Sequence, residues 1–245
     1  MSKHVIAATL VAGIMAGAAL AENRIDLVRP DAPELAAFGT FPIGVQTLSL
    51  AHPDQLDVVN IVDGSRPVYE RPLTVEVWYP AAPGTQPGGT YLTKIRDGHT
   101  DTTLTGRATR DAAPASGASF PLVVISHGYP GNRMLMSHLG ENLASKGYVT
   151  VSVDHTDSTY ATQAAFGSTL LHRPRDQRFV VDQMAALDGP LGDIIDASST
   201  GVIGYSMGGY GALIMSPSGP SKAAIWSTTN RWSRGRCNSV EPNAA

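Results

Sequence analysis

Residues 200–215 read TGVIGYSMGGYGALIM: a short apolar run, a cluster of glycines around Ser206, and a run of small and apolar residues. Residues 204–208 form the pentapeptide G-x-S-x-G. This order predicts a strand, a sharp turn and a helix, with the Ser206 hydroxyl exposed at the helix N-terminus. The turn is expected to hold Ser206 in a strained backbone conformation, and the glycines let neighbouring backbone pass without Cβ clashes.

Two interpretations of Ser206 follow from this pattern. In the first, Ser206 is the nucleophile of a hydrolytic enzyme, since a serine on such a turn is accessible and faces the positive end of the helix dipole. In the second, the stretch is an ordinary strand-to-helix turn and Ser206 serves only as an N-cap. The strand before, the helix after and the additional Gly209 and Gly211 favour the nucleophile.

A second motif follows the apolar run PLVVIS at residues 121–126, which is typical of a buried parallel strand. The next six residues, 127–132, read HGYPGN. A loop at this place can turn backbone N–H groups towards a reacting carbonyl, so the N–H groups of Tyr129 and Met207 are predicted to form an oxyanion hole. His127 is expected to be a structural residue beneath the loop.

The region after this loop predicts a crossover unit. A helix is expected over about residues 134–146, followed by a buried strand at 148–153, which gives a right-handed connection and a parallel sheet. The strand leads into DHTDSTY at residues 154–160, at the sheet edge where such folds place their sites. A structural or substrate-lining role is favoured there, because one histidine and two carboxylates make a weak metal site.

Further along, residues 161–173 are predicted to be a loop that could cover the site. A helix is expected over residues 175–187, with Arg175, Asp176 and Arg178 on its solvated face.

The first third of the chain predicts antiparallel strands. Residues 73–79, LTVEVWY, alternate between two faces, and strands are also expected at 45–50 and 56–62 with a turn at 53–54. Residues 80–119 are rich in Gly, Pro, Thr, Ala and Asp. They predict a long surface insertion with one short strand near 91–95.

Composition places the chain among globular proteins. It has 245 residues, of which 42% are hydrophobic and 16% charged, and its net charge is −3. This mild acidity gives no reason to expect nucleic acid as a partner. No cluster of metal-ligating residues surrounds His99, so neither a metal nor a cofactor is predicted. Cys237 is the sole cysteine, which excludes an internal disulfide.

Residues 1–21 are typical of a secretory signal peptide. Lys3 supplies the positive charge, an apolar stretch follows, and residues 19–21 read ALA, a cleavage site. The mature chain, 22–245, is expected to be a single domain in the periplasm or outside the cell. The apolar stretch is short for an uncleaved membrane anchor, and no stable membrane span is expected after signal removal.

Three motifs in order carry a family resemblance: HGYPGNR at 127–133, VDHTDSTY at 153–160 and GYSMGG at 204–209. Over about residues 40–215 the chain resembles the α/β-hydrolase superfamily, in particular the platelet-activating-factor acetylhydrolase and dienelactone-hydrolase-like group. The resemblance implies an α/β-hydrolase fold, with a mostly parallel sheet flanked by helices. It also implies a serine carboxylic-ester hydrolase that acts on a small-molecule or lipid ester through an acyl-enzyme on Ser206.

The chain departs from that family after the nucleophile. The family order is serine, then an acid, then histidine. All seven histidines here precede Ser206, and Glu241 is the sole acidic residue after it. We therefore expect an impaired enzyme and a fold that is incomplete at the C-terminus, with 216–245 a divergent or foreign tail. His155 is considered as a substitute base.

The alternative function is a non-catalytic remnant that at most binds acyl ligands. A natural, short and divergent C-terminus is the alternative interpretation of residues 216–245.

Overall fold

The structure is a computed structural model that describes residues 22–164, 166–215 and 225–228. Its strands are β1 (Asn23–Arg24), β2 (Ile43–Leu56), β3 (Val68–Pro80), β4 (Gly89–Lys94), β5 (Asp101–Gly106), β6 (Thr109–Arg110), β7 (Phe120–Ser126), β8 (Val149–Asp154), β9 (Ile195–Tyr205) and β10 (Ile225–Thr228). Its α-helices are α1 (Ser137–Ala144), α2 (Phe166–Ala185), α3 (Gly189–Gly192) and α4 (Met207–Met215). Two short 3₁₀ helices span Glu34–Ala36 and Val58–Asn60.

A seven-stranded sheet with the order β10-β9-β7-β8-β3-β2-β6 runs through the molecule. Strands β8, β7, β9 and β10 run parallel to one another, and β3 is antiparallel to both β8 and β2. Four of the six strand pairings are parallel, since β6 also runs parallel to β2. The predicted mostly parallel sheet flanked by helices is therefore present.

The alternation predicted for residues 73–79 separates the two faces of β3. Leu73, Val75, Val77 and Tyr79 belong to one core cluster, which also contains side chains of α2 and α4. Trp78 belongs to a second cluster on the opposite face, which packs against α1. A Cβ on Gly140 would lie 2.6 Å from the Trp78 ring, so this helix approaches the sheet closely because it carries a glycine.

The strand predicted at 45–50 is part of one long strand, β2, which continues through the turn predicted at 53–54. Asp54 has a φ of +54°, and the pairing register shifts between His52 and Gln55, so residues 53–54 form a bulge and not a turn. The strand ends at Leu56, and a 3₁₀ helix follows in which the Asp57 side chain accepts a hydrogen bond from the Asn60 N–H group. The prediction of a separate strand at 56–62 was wrong.

The surface insertion predicted at residues 80–119 is more ordered than its composition indicates. It contains β4, β5 and β6, and β1, β5 and β4 form a second, three-stranded sheet. Tyr91 and Ala108 are buried. The buried carboxylate of Glu141 accepts hydrogen bonds from the Tyr91 hydroxyl and from the N–H groups of Arg107 and Ala108. This anchor lies on α1, so the composition of residues 80–119 gives no sign of it.

The helix predicted over residues 175–187 begins earlier, at Phe166, and includes Pro174 in its interior. Most of the loop predicted at 161–173 is therefore helix. One face of the additional turns is buried: Ser168, Thr169, His172 and Arg173 are each at most 1% exposed. Tertiary packing thus outweighs the helix-breaking tendency of proline, which made the start of the helix appear to lie after Pro174.

Both chain ends fall largely outside the described residues. The predicted signal peptide, 1–21, lies outside them entirely. Of the predicted tail, 216–245, the structure describes β10, which pairs in parallel with β9 and extends the sheet by one strand. The described part of the chain has no helix that is both long enough and apolar enough to span a bilayer. Incompleteness at the C-terminus stays a prediction.

Candidate active site

Ser206 lies on the turn between β9 and α4. Its φ is +53°, in the left-handed region that a residue with a side chain rarely adopts, and the residue is exposed. Such strain is typical of serines that a strand-to-helix turn lifts towards a substrate. The predicted strand, turn, helix and strained serine are all present.

The glycines beside Ser206 are required by close backbone contacts. A Cβ on Gly204 would overlap the backbone of Gly208 and Gly209. A Cβ on Gly208 would overlap the carbonyl oxygen of Ser126, at the end of the neighbouring strand β7. The pentapeptide therefore packs against β7 through glycine backbone, which fixes the turn beside the loop that follows β7.

That loop, residues 127–131, lies against the turn. A Cβ on Gly128 would be 3.3 Å from the Cβ of Ser206 and 3.1 Å from the Tyr205 ring. Within the described ranges, the Tyr129 N–H group has no hydrogen-bond acceptor. The Met207 N–H group opens α4, where helix geometry provides no acceptor. The structure thus brings Ser206, Tyr129 and Met207 to the carboxyl ends of two adjacent parallel strands.

His127 lies beneath this loop. Its side chain is fully buried, its Nδ1 is 2.6 Å from the carbonyl oxygen of Gly128, and its Nε2 accepts a hydrogen bond of 3.3 Å from the His155 N–H group. Burial, followed by the nearby charge of Arg173, holds the pKa of His127 well below its ordinary value. These contacts agree with the structural role predicted for His127.

His155 is engaged on both ring nitrogens. Nε2 is 2.8 Å from the Ser126 hydroxyl, and Nδ1 is 3.0 Å from a carboxylate oxygen of Asp176. The residue is 1% exposed, and burial holds its pKa well below the ordinary value. Neither nitrogen is available to Ser206, so the geometry contradicts the idea that His155 is a substitute base.

Asp176 belongs to a group of buried side chains that we call the buried polar cluster: Arg71, Ser126, His155, Arg173 and Asp176. Arg71 donates to Asp176 through Nε at 2.9 Å and through Nη2 at 3.1 Å. Asp176 is fully buried, and burial raises its pKa although Arg71 acts against this. The prediction that Asp176 lies on a solvated helix face was wrong.

A signal for this burial is present in the sequence. Asp176 is three residues after Arg173 and four before the apolar Val180, so all three share one helix face. The partner Arg71 lies 105 residues away in β3, and no local pattern identifies it.

The DHTDSTY segment, residues 154–160, is held by ion pairs. Asp154 accepts from the Arg133 side chain at 2.5 Å, and Asp157 accepts from Arg71 at 3.0 Å. Thr156, Thr159 and Tyr160 line a cavity of about 440 Å³. The described residues include no group of three or more His, Cys, Asp or Glu side chains placed to hold a metal ion.

The fold and the strained serine define the class of protein: an α/β-hydrolase. A family model described as PET hydrolase-like matches residues 108–241, more than half of the chain. The chain therefore belongs to the PET hydrolase-like family. The match includes most of residues 216–245, whose foreign origin stays a prediction.

Individual relatives agree with this family. Cutinase 2 of Thermobifida cellulosilytica is 32% identical over 132 residues, which cover 49% of this chain and 45% of the relative. The bis(hydroxyethyl) terephthalate hydrolase of Streptomyces coelicolor is 33% identical over 122 residues, covering 48% of this chain and 36% of the relative. The chain thus spans less than half the length of these curated relatives.

Among solved structures, a ferulic acid esterase from Streptomyces cinnamoneus is similar to this chain. The TM-score is 0.57 at 30% identity, and the match covers 74% of this chain and 57% of the other. These relatives support the predicted superfamily, whereas the platelet-activating-factor acetylhydrolase and dienelactone-hydrolase-like subgroup stays a prediction.

Proposed function

We propose that the chain is a serine carboxylic-ester hydrolase with Ser206 as its nucleophile. The observation that carries the proposal is the exposed, strained Ser206 beside the N–H groups of Tyr129 and Met207. The names of the relatives support it, since a cutinase, a terephthalate ester hydrolase and a ferulic acid esterase are all named for ester cleavage.

In the proposed reaction, the Ser206 hydroxyl attacks the acyl carbon of the ester. The carbonyl oxygen becomes an oxyanion, which accepts hydrogen bonds from the N–H groups of Tyr129 and Met207. Collapse of this tetrahedral intermediate expels the alcohol and leaves an acyl-enzyme, which water then hydrolyses to the free acid. One oxyanion donor is worth about 10²–10³ in kcat in enzymes of this kind.

A base that takes the Ser206 proton is not found among the described residues, because no histidine or carboxylate there is hydrogen-bonded to the Ser206 hydroxyl. His127 and His155, the two histidines at this edge of the sheet, have both ring nitrogens engaged elsewhere. We infer that the chain of 245 residues hydrolyses esters several orders of magnitude more slowly than a serine esterase with a complete triad.

Exposed aromatic side chains beside Ser206 and against Tyr129 support small aromatic esters as substrates. Tyr205 is 43% exposed beside the serine, and Phe166 is 47% exposed and packs edge-on against Tyr129 with ring centres 5.1 Å apart. Aromatic side chains offer flat apolar surfaces that suit an aromatic acyl group. Two of the relatives are named for terephthalate and ferulic acid esters. Lipid esters are proposed as a second class of substrate. We also propose that residues 1–21 direct export of the chain.

Covalent labelling tests the nucleophile directly. The full chain is treated with a fluorophosphonate probe, and labelled peptides are identified by mass spectrometry. We expect phosphonylation of Ser206 that is slow, because no base for Ser206 is found among the described residues, and that added imidazole accelerates; it should be lost in Ser206→Ala. Ser126→Ala is the matched control and should label like the parent chain, because Ser126 is fully buried. A parent chain without label on Ser206 would support the alternative, a remnant that at most binds acyl ligands.

The rate at which the chain hydrolyses para-nitrophenyl butyrate tests whether it supplies a base for Ser206. We expect a kcat below the range of about 1–10³ s⁻¹ that is typical of enzymes. Added imidazole should raise the rate of the parent chain more than that of Ser206→Ala, because an external base can take the Ser206 proton. Turnover within the usual range without imidazole would show that the chain supplies its own base.

A further inference from the structure

We propose that Arg173 is a positioning residue of the oxyanion site: it holds the carbonyl group of Gly128 from below and so aims and polarises the N–H group of Tyr129. The inference rests on the proposed function in one respect, the use of the Tyr129 N–H group as an oxyanion donor. Arg173 itself lies behind the loop, away from Ser206, and acts through the backbone.

The argument begins with one peptide group. The carbonyl of Gly128 and the N–H group of Tyr129 belong to the same trans peptide unit, so the two groups point in opposite directions. Arg173 Nη2 donates to the Gly128 oxygen at 3.3 Å, and His127 Nδ1 lies 2.6 Å from the same oxygen. With the carbonyl held towards the protein interior, the N–H group is directed outward.

The guanidinium group of Arg173 donates hydrogen bonds to two consecutive carbonyl groups of the loop. Arg173 Nη1 donates to the His127 oxygen at 2.5 Å, in addition to the contact between Nη2 and Gly128. Nη2 also donates to the Ser158 hydroxyl. The planar fork of arginine suits this arrangement, because its donors keep a fixed spacing, whereas lysine offers a point charge.

The positive charge of Arg173 has no carboxylate in direct contact among the described residues. Arg173 is 1% exposed, and its hydrogen-bond partners are carbonyl and hydroxyl oxygens. The nearby Asp176 is hydrogen-bonded to Arg71 and His155 instead. Burial lowers the pKa of Arg173 to about 9, so the group is still protonated at neutral pH.

A charge in this place strengthens the N–H donor. In a low-dielectric interior, a cation bound to a carbonyl oxygen polarises the peptide group, and hydrogen bonds in a chain reinforce one another. The effect on an oxyanion is electrostatic and requires no movement during the reaction. A buried cation is costly, so its place behind this particular peptide is best explained by a role in the site.

The same face of α2 also contacts the other side of the site. Gln177, one helical turn after Arg173, donates to the carbonyl oxygen of Gly208 at 2.9 Å. A Cβ on Gly211 would lie 2.5 Å from the Arg173 Cγ and 2.8 Å from the Gln177 amide nitrogen. α2 therefore touches both the loop that carries Tyr129 and the helix that Met207 opens, and it sets the distance between the two donors.

The test compares Arg173→Gln with Arg71→Gln in the full chain. Arg71 is the matched control, because it is an equally buried arginine of the buried polar cluster whose contacts do not include the loop. The first measurement is the Tyr129 amide signal in a ¹H–¹⁵N NMR spectrum. We expect Arg173→Gln to shift the Tyr129 amide proton upfield and Arg71→Gln to leave it in place.

The second measurement is turnover of para-nitrophenyl butyrate. Arg173→Gln should lower kcat about tenfold with KM unchanged, a fraction of what removal of a whole donor costs. Arg173→Lys, which keeps the charge without the fork, should give an intermediate shift and an intermediate kcat. This variant also serves if Arg173→Gln does not fold.

Two results would overturn the inference: a Tyr129 amide signal unmoved by Arg173→Gln, or an equal shift in Arg71→Gln, which would indicate general loosening of the fold. Failure of the proposed function has a different signature, since Ser206 would then remain unlabelled. In that case the Tyr129 amide signal still decides whether Arg173 orients and polarises this peptide group.

Discussion

Ser126 and Ser206 lie at the carboxyl ends of adjacent strands, β7 and β9, and their surroundings are opposite. Ser126 has the hydrogen-bond partners of a catalytic triad, His155 at 2.8 Å and beyond it Asp176 at 3.0 Å, but it is fully buried. Ser206 is exposed and strained, beside two backbone donors, and has no base among the described residues. A serine that contacts a histidine, which in turn contacts an aspartate, therefore does not by itself define an active site.

This difference between the buried polar cluster and the turn at Ser206 indicates a separate role for each. The buried polar cluster joins β3, β7, the end of β8 and α2, and it satisfies polar groups that the core encloses. The turn at Ser206 stores strain and presents a hydroxyl to solvent. Access and backbone donors, more than hydrogen-bonded side chains, mark the site at which a substrate can react.

The largest expected effect concerns the buried polar cluster. Asp176→Ala leaves Arg71 buried without its carboxylate and should lower the free energy of unfolding by about 3–5 kcal/mol. Asp182→Ala is the control, since Asp182 pairs with Arg178 on the helix surface and should cost about 0.3–0.5 kcal/mol. Urea unfolding measures both. Equal losses in the two variants would show that the cluster does not stabilise the fold.

The turn at Ser206 should be disrupted by a steric clash, and not by the loss of an ion pair. Gly208→Ala places a Cβ on the carbonyl oxygen of Ser126, and we expect a loss of about 1–3 kcal/mol together with loss of labelling at Ser206. Gly167→Ala in α2 is the control, because the nearest atom to its Cβ is 3.8 Å away. It should be neutral or stabilising by up to about 1 kcal/mol. Unchanged labelling in Gly208→Ala would contradict the close packing.

The smallest effect is a dependence of stability on pH. Burial holds His127 and His155 neutral in the folded chain, whereas the unfolded chain binds protons as the pH falls below about 6.5. Their contribution is complete above that value and is lost as the pH falls, by at most about 1.4 kcal/mol per pH unit for each histidine. Asp176 has the opposite effect: because burial raises its pKa, this group lowers the stability of the fold as the pH rises above the ordinary pKa of an aspartate.

Unfolding free energies between about pH 7.5 and pH 5.5 measure this slope. His127→Gln removes one of the histidines with a lowered pKa and should flatten the slope by the contribution of that one histidine. A slope that is the same in the parent chain and in His127→Gln would show that His127 is not buried in its neutral form.

The turn at Ser206 could be predicted from the sequence, because all of its determinants are local. The strand, the glycines and the helix occupy sixteen consecutive residues, 200–215, and the second motif at residues 127–132 follows a strand that is equally plain. The placement of Ser206 beside the loop of Tyr129 thus follows from short patterns and the known geometry of strand ends.

The buried polar cluster could not be predicted in the same way. Charged side chains are rarely buried, so Asp176 was assigned to solvent. Its partner Arg71 lies in a different element 105 residues earlier, and only the folded sheet brings the two together. The start of α2 was misplaced for a related reason, since buried contacts of residues such as Arg173 outweigh the local effect of Pro174.

The anchor at Glu141 has a consequence for how the chain is made. Its three partners, Tyr91, Arg107 and Ala108, precede it by 50, 34 and 33 residues. At a translation rate of about 5–20 residues per second, they leave the ribosome roughly 2–10 s before Glu141 does. During that interval the Tyr91 hydroxyl and the N–H groups of Arg107 and Ala108 lack their acceptor, so water must satisfy them until α1 emerges.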